Sequence, residues 1–208
     1  MKNPNELPVR LEAGAVTTAL VYEAEARAAG APALILGHGA GAGQRSPFMV
    51  DFARGLAALG VDAITFNFLY TEQRRRIPDR GPALEGCYRA VIAAIRSSIG
   101  ASRALFIGGK SMGGRIATQV AAADPQLPLA GLVLLGYPLH PPGRPTQRRD
   151  KHLPSIGRPM LFVQGARDTF GTPAELEPVL ALIRPEPTLH VVARGDHSFK
   201  LGRRDPVA

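Results

Sequence analysis

The strongest chemical signal in the sequence is a serine enclosed by glycines, Gly109-Lys110-Ser111-Met112-Gly113. An apolar run at residues 104–107 precedes it, and a helical segment follows at residues 112–123 and stops before Pro125. A strand, a sharp turn and a helix in this order lift the serine hydroxyl above the sheet as an exposed nucleophile. The flanking glycines remove side chains that would collide in so tight a turn. We therefore predict that Ser111 attacks a carbonyl carbon.

A serine nucleophile needs a base, and the base needs an acid that orients it. Asp168 follows the apolar run at residues 160–163, and His197 follows the run at residues 189–192. Both therefore lie just beyond the carboxyl ends of predicted strands, where ligand chemistry collects in open α/β sheets. We predict that His197 is the base and Asp168 the acid.

Other residues compete for these two roles. Asp196 is the alternative acid, but Asp168 is favoured because adjacent side chains point in different directions and Asp196 neighbours His197. The remaining histidines fit less well, since they lie in a predicted strand, in the proline-rich segment 138–159 or in a glycine-rich turn: His190, His140, His152 and His38.

The negative charge that develops on an attacked carbonyl oxygen requires two N–H donors. The helix that begins after Ser111 offers the N–H of Met112. The second donor is expected in the loop after the third strand, which here is the glycine-rich stretch 37–43. Ala40 is the first choice for this donor and Gly39 the second.

Two nucleotide-binding alternatives are disfavoured. A phosphate-binding loop ending in Gly109-Lys110-Ser111 requires a glycine five residues earlier, where Ala104 stands. The spacing of Gly37, Gly39 and Ala42 meets the loose dinucleotide-binding pattern. That pattern also requires a carboxylate at the end of the next strand, and residues 66–68 contain none.

The elements that must position these residues alternate along the chain. A hairpin is predicted from residues 9–13 and 16–23, and six short apolar strands follow, at residues 33–36, 62–66, 104–107, 132–136, 160–163 and 189–192. Helices are predicted between them at residues 47–59, 83–99, 112–123 and 173–183. This order predicts one α/β domain over residues 1–208, with a mostly parallel eight-stranded sheet and helices on both faces.

Composition narrows the class of protein. The 208 residues are 45% hydrophobic and 20% charged, which is typical of a globular domain. No apolar run approaches the ~20 residues of a membrane span, and no signal peptide is recognised. The single cysteine, Cys87, fits a cytoplasmic location. The net charge of +8 concentrates at residues 74–76, 148–151 and 203–204, and nucleic acid is not expected because aromatic residues do not interleave with these clusters.

The sequence resembles the α/β-hydrolase superfamily, in particular its small lidless branch related to dienelactone hydrolases. The resemblance rests on the stretches 37–43, 66–78 and 108–115, on Asp168 and on His197. It implies an eight-stranded sheet with one antiparallel strand, and Ser111, Asp168 and His197 as a catalytic triad. Only 11 residues follow His197, so the closing helix of the family is expected to be short or absent. About 20 residues separate the sixth strand from the next one, too few for a large cap.

These features predict a serine hydrolase, carboxylesterase-like or dienelactone-hydrolase-like, that cleaves a small ester or related acyl bond without a metal or cofactor. Its expected partner is a small-molecule acyl substrate, and the sequence leaves its oligomeric state open. Arg45 and residues 74–76 are expected near the mouth of the site, where they would favour an anionic substrate. The alternative is an interaction module that keeps the fold with weak or no turnover.

Overall fold

A computed structural model describes residues 3–12, 14–26, 28 and 30–201. Its eight strands form one sheet in the order β1-β2-β4-β3-β5-β6-β7-β8. In chain order, the strands β1 to β8 are Asn5–Arg10, Val16–Tyr22, Ala33–Gly37, Asp62–Phe66, Leu105–Lys110, Gly131–Leu135, Met160–Gly165 and Thr188–Val192. Strand β2 pairs antiparallel with both β1 and β4, and β3 to β8 are parallel to one another. The predicted eight-stranded, mostly parallel sheet is confirmed.

The N-terminal hairpin lies earlier than predicted. Its first strand is Asn5–Arg10 rather than residues 9–13, and Val9 pairs with Thr17. The chain turns after Arg10, where the Leu11 N–H donates to the Ala15 carbonyl and the Gly14 N–H donates to the Leu11 carbonyl. Gly14 has a φ of 76°, a conformation that costs glycine nothing.

Helices cover both faces of the sheet. Alternate residues of β3 enter different core clusters: Ile35 packs with Tyr88 and Ile116, whereas Leu36 packs with Met49. Successive side chains of a strand point to opposite faces, so each face has its own apolar core. This explains why all five residues of β3 are buried.

The helices α1 to α5 are Pro47–Ala58, Leu69–Glu72, Gly81–Ile99, Met112–Ala123 and Pro173–Leu180. The short α2 is absent from the prediction, and α5 ends three residues before the predicted Ile183. Helix α5 begins at a capping box between Thr172 and Glu175. No described helix is long and apolar enough to cross a membrane.

The described chain carries no large cap between β6 and β7, where Leu153–Ser155 forms a single 3₁₀ turn. Past β8, residues 193–201 form a loop that Gly195 and Leu201 close with an isolated antiparallel bridge. The predicted basic pair at residues 203–204 lies outside the described residues, as does most of the segment on which the expectation of a short closing helix rests.

Because β3 to β8 are parallel, the carboxyl ends of β3, β5, β7 and β8 lie at one edge of the sheet.

Candidate active site

Ser111 lies in the sharp turn between β5 and α4. Its backbone has φ 50° and ψ −114°, a conformation that a residue other than glycine seldom adopts. The turn packs directly on the end of β3, because a Cβ added at Gly113 would lie 2.1 Å from the Gly37 carbonyl oxygen, and one at Gly109 would lie 2.2 Å from it. The glycines of the motif therefore allow backbone to meet backbone, which holds the strained serine in place.

The three residues predicted as nucleophile, base and acid lie in one hydrogen-bonded chain. His197 Nε2 is 2.9 Å from Ser111 Oγ, and His197 Nδ1 is 2.9 Å and 2.8 Å from the two carboxylate oxygens of Asp168. An ionised carboxylate only accepts, so Nδ1 carries the proton and Nε2 is free to accept the serine proton. The Phe170 ring stacks on the imidazole with centroids 4.1 Å apart.

The buried side-chain amide of Gln164, which the sequence analysis did not predict, holds the carboxylate of Asp168 in position. Gln164 Nε2 donates to Asp168 Oδ2 at 2.9 Å, and the Phe170 N–H donates to Asp168 Oδ1 at 2.8 Å. Gln164 and Asp168 are both fully buried. The one available signal was a polar residue at the end of an otherwise apolar strand. The alternative acid, Asp196, instead accepts the backbone N–H groups of Ser198 and Lys200 within its own loop.

His38 fixes the loop predicted to hold an oxyanion. The Phe68 N–H donates to His38 Nε2 at 3.2 Å, so the ring proton is on Nδ1, which donates to the Gly39 carbonyl at 2.8 Å. In a trans peptide the carbonyl of Gly39 and the N–H of Ala40 point in opposite directions, so this bond turns the Ala40 N–H away from His38. Burial lowers the pKa of His38, which keeps the ring neutral.

The other predicted donor, Met112, is the first residue of α4. The first N–H groups of a helix have no intrahelical acceptor, and they carry the positive end of the helix dipole. The N–H that directly follows Ser111 is therefore available to a negatively charged oxygen bound at the serine.

Comparison with known proteins agrees with the fold. A family model described as an alpha/beta hydrolase domain matches residues 30–207. The chain belongs to this alpha/beta hydrolase family.

Similar solved structures share the fold of this alpha/beta hydrolase. XC6422 from Xanthomonas campestris, a serine hydrolase without a lid, has 21% identity and a TM-score of 0.74 over 96% of this chain and 88% of that chain. A dienelactone hydrolase from Anabaena variabilis has 20% identity and a TM-score of 0.74, covering 96% and 90%. An alpha-beta serine hydrolase homologue from Coxiella burnetii has 16% identity and a TM-score of 0.76, covering 95% and 90%.

A cavity of about 480 Å³ opens at Ser111 and His197 in this alpha/beta hydrolase. Apolar side chains form much of its wall, among them Pro47, Phe48 and Phe170. Its positive charges are lysines, Lys110 and Lys200.

Arg45 and residues 74–76, which were expected near the mouth, are not among the residues that line this cavity. Arg45 instead pairs with Glu6. Among the described residues, no group of three or more His, Cys, Asp or Glu side chains is arranged to hold a metal ion.

Proposed function

We propose that this alpha/beta hydrolase is a serine hydrolase that cleaves a small ester or a related acyl bond through an acyl-enzyme on Ser111. The observation that carries the proposal is the position of His197, whose two ring nitrogens lie within 2.9 Å of the Ser111 hydroxyl and the buried Asp168 carboxylate. This arrangement suits proton transfer from a hydroxyl that attacks a carbonyl.

The reaction has two steps. His197 Nε2 takes the proton of Ser111 as Oγ attacks the carbonyl carbon, and the N–H groups of Ala40 and Met112 stabilise the oxyanion. The tetrahedral intermediate collapses, the carbon–oxygen bond to the leaving group breaks, and His197 protonates the departing oxygen, so that an alcohol is released. A water molecule then gives its proton to His197 and attacks the acyl-enzyme, which releases the acid and restores Ser111. Asp168 orients the imidazole and stabilises its charged form.

The cavity supports a small substrate. A volume of about 480 Å³ with two phenylalanines, Phe48 and Phe170, in its wall fits a short acyl or aryl group. The likeness in fold to a dienelactone hydrolase and to a serine hydrolase without a lid is consistent with either a carboxylesterase or a lactone hydrolase. Neither reaction requires a metal or cofactor.

The direct test compares Ser111→Ala with Ser98→Ala, which changes an exposed serine of α3. With p-nitrophenyl acetate, we expect turnover to fall ~10⁴–10⁶-fold in the first variant and to stay unchanged in the second. A fluorophosphonate probe should label the wild type and Ser98→Ala but not Ser111→Ala. If Ser111→Ala keeps its turnover, the assignment of the nucleophile is wrong. If the wild type neither reacts with the probe nor cleaves any ester, the chain is an interaction module.

A further inference from the structure

The side chain of Lys110 joins the nucleophile to the loop that carries the base. Lys110 is the last residue of β5 and precedes Ser111, and its ammonium donates a hydrogen bond to the main-chain carbonyl of His197, 87 residues away. His197 is therefore held at three points: its carbonyl by Lys110, Nδ1 by Asp168 and Nε2 by Ser111.

Three residues lie around the ammonium group of Lys110: Gly136, Phe48 and Phe199. Gly136, just past β6, has a φ of 62°, and a Cβ added there would lie 2.8 Å from Lys110 Nζ and 3.2 Å from the His197 carbonyl oxygen. The rings of Phe48 and Phe199 lie on the other sides, with centroids 5.9 Å and 5.3 Å from Nζ, within range of a cation–π attraction. Gly136 and two aromatic rings thus lie around the ammonium of Lys110, a residue that also lines the cavity.

The charges around Lys110 come from two loops. The Asp168 carboxylate, beyond β7, and the Asp196 carboxylate, beyond β8, both attract the ammonium. His197 is bonded to Asp168, and Lys200 lines the same cavity. Burial opposes these carboxylates and lowers the pKa of Lys110 to about 8. The side chain is thus largely charged at neutral pH and loses its charge in mildly alkaline solution.

We propose that the Lys110 ammonium is a positioning residue that holds the His197 loop in register with the nucleophile, so that hydrolysis requires the charge on Lys110. The inference rests on the proposed function of Ser111. A neutral amine keeps two weak N–H donors but loses the attraction to Asp168 and Asp196 and to the two rings. The imidazole then samples positions away from Ser111 Oγ, and a displacement of about 1 Å reduces turnover ~10²-fold.

Stability and activity should respond in opposite directions to alkaline pH. The pKa of Lys110 is lower in the folded protein than in the unfolded chain, so the unfolded chain binds more protons between about pH 8 and 10.5. The contribution of Lys110 to the free energy of unfolding therefore rises with pH across this window. Loss of activity there cannot be explained by unfolding through this group.

The first test uses Lys110→Met, which removes the charge, Lys110→Arg, which keeps a charge that does not titrate in this range, and Lys151→Met as an exposed control. For p-nitrophenyl acetate we expect kcat of Lys110→Met to fall about 10- to 100-fold with little change in KM. Lys110→Arg should recover most of kcat, and the alkaline decline centred near pH 8 in the wild type should disappear. Wild-type kcat in Lys110→Met, or an unchanged alkaline decline in Lys110→Arg, would overturn the proposal.

The second test requires no turnover. In protein labelled with ¹⁵N-histidine, the His197 ring signals should show the proton fixed on Nδ1 in the wild type and in Lys110→Arg. In Lys110→Met we expect averaged signals from both tautomers, because the ring is no longer held against Asp168. Unchanged His197 signals in Lys110→Met overturn the positioning role alone. A wild type that shows the expected signals but cleaves no ester overturns only the proposed function.

Discussion

The side-chain amide of Gln164 donates a 2.9 Å hydrogen bond to Oδ2 of Asp168, and neither residue is exposed to solvent. The same amide nitrogen donates to the Gly171 carbonyl at 2.7 Å and lies 3.3 Å from the Tyr137 carbonyl oxygen, and the amide oxygen accepts the Tyr137 N–H. Gln164 therefore connects the end of β7 to the segment after β6 and to the loop that carries the acid. Gln164 thus orients the Asp168 carboxylate toward His197, although Gln164 itself does not line the cavity.

Replacing Gln164 should therefore impair catalysis as well as stability. Gln164→Glu places a second buried carboxyl group against Asp168, and one of the two must take up a proton. We expect a larger loss of kcat than in Gln164→Met, which removes the hydrogen bonds without adding a charge. The free energy of unfolding should fall by about 1–3 kcal/mol in the methionine variant, measured in urea. Equal kcat in the glutamate variant and the wild type would contradict this role for the amide.

Mutation to asparagine should distinguish the roles of the two acids, Asp168 and Asp196. In Asp168→Asn the side chain no longer holds the proton on Nδ1 of His197, and we expect kcat to fall ~10⁴-fold with the fold intact. In Asp196→Asn the side-chain oxygen still accepts the N–H groups of Ser198 and Lys200, so kcat should fall less than about tenfold. Esterase assays and circular dichroism of both variants provide the measurement. A greater loss in Asp196→Asn would exchange the two assignments.

The sequence sufficed to predict the edge of the sheet at which the site lies. Asp168 and His197 each follow an apolar run, and the carboxyl ends of parallel strands meet at one edge whatever their order in the sheet. Gln164 and Lys110 could not be predicted in this way. Their roles depend on side-chain contacts with residues brought together by folding, such as the Lys110 bond to a carbonyl 87 residues away, and strand patterns do not encode such distances.

The predicted element boundaries are wrong where the local hydrophobic pattern is weakest. Strand β1 is an edge strand with Val9 as its only buried residue, so its position is set by pairing with β2 rather than by its own hydrophobicity. Helix α5 ends at Leu180 although apolar residues continue to Ile183, which is fully buried in a turn. Apolar spacing alone therefore placed the helix end too late.

His38 makes stability depend on pH below neutrality. Its ring accepts from Phe68 and donates to Gly39, so a second proton would break the bond to Phe68. Burial lowers the pKa of His38, and of His152, below the usual histidine value. The unfolded chain then binds more protons as the pH falls through about 6.5, so the free energy of unfolding should decrease from about pH 7.5 to 5.5.

Urea denaturation at these two pH values tests the dependence. In His38→Gln and in His152→Gln, stability at the higher pH should be lower than in the wild type, but the difference between the two pH values should shrink. In the double variant it should shrink further. Carboxyl groups with ordinary pKa values titrate mostly below this window. An undiminished difference in the double variant would assign the acid sensitivity to other groups.

Two glycines that both lie within helices, Gly113 in α4 and Gly86 in α3, should respond oppositely to alanine. At Gly113 an added Cβ would lie 2.1 Å from the Gly37 carbonyl oxygen and 2.3 Å from its carbon, and neither backbone can move without separating the turn from β3. At Gly86, exposed in α3, an added Cβ would meet nothing within 4 Å. We expect Gly113→Ala to lose about 3 kcal/mol or more, since overpacking here acts on backbone. Gly86→Ala should gain about 0.5–1 kcal/mol from its higher helix propensity. Equal stabilities of the two variants in urea denaturation would show that the close approach of the turn to β3 is not what demands glycine at position 113.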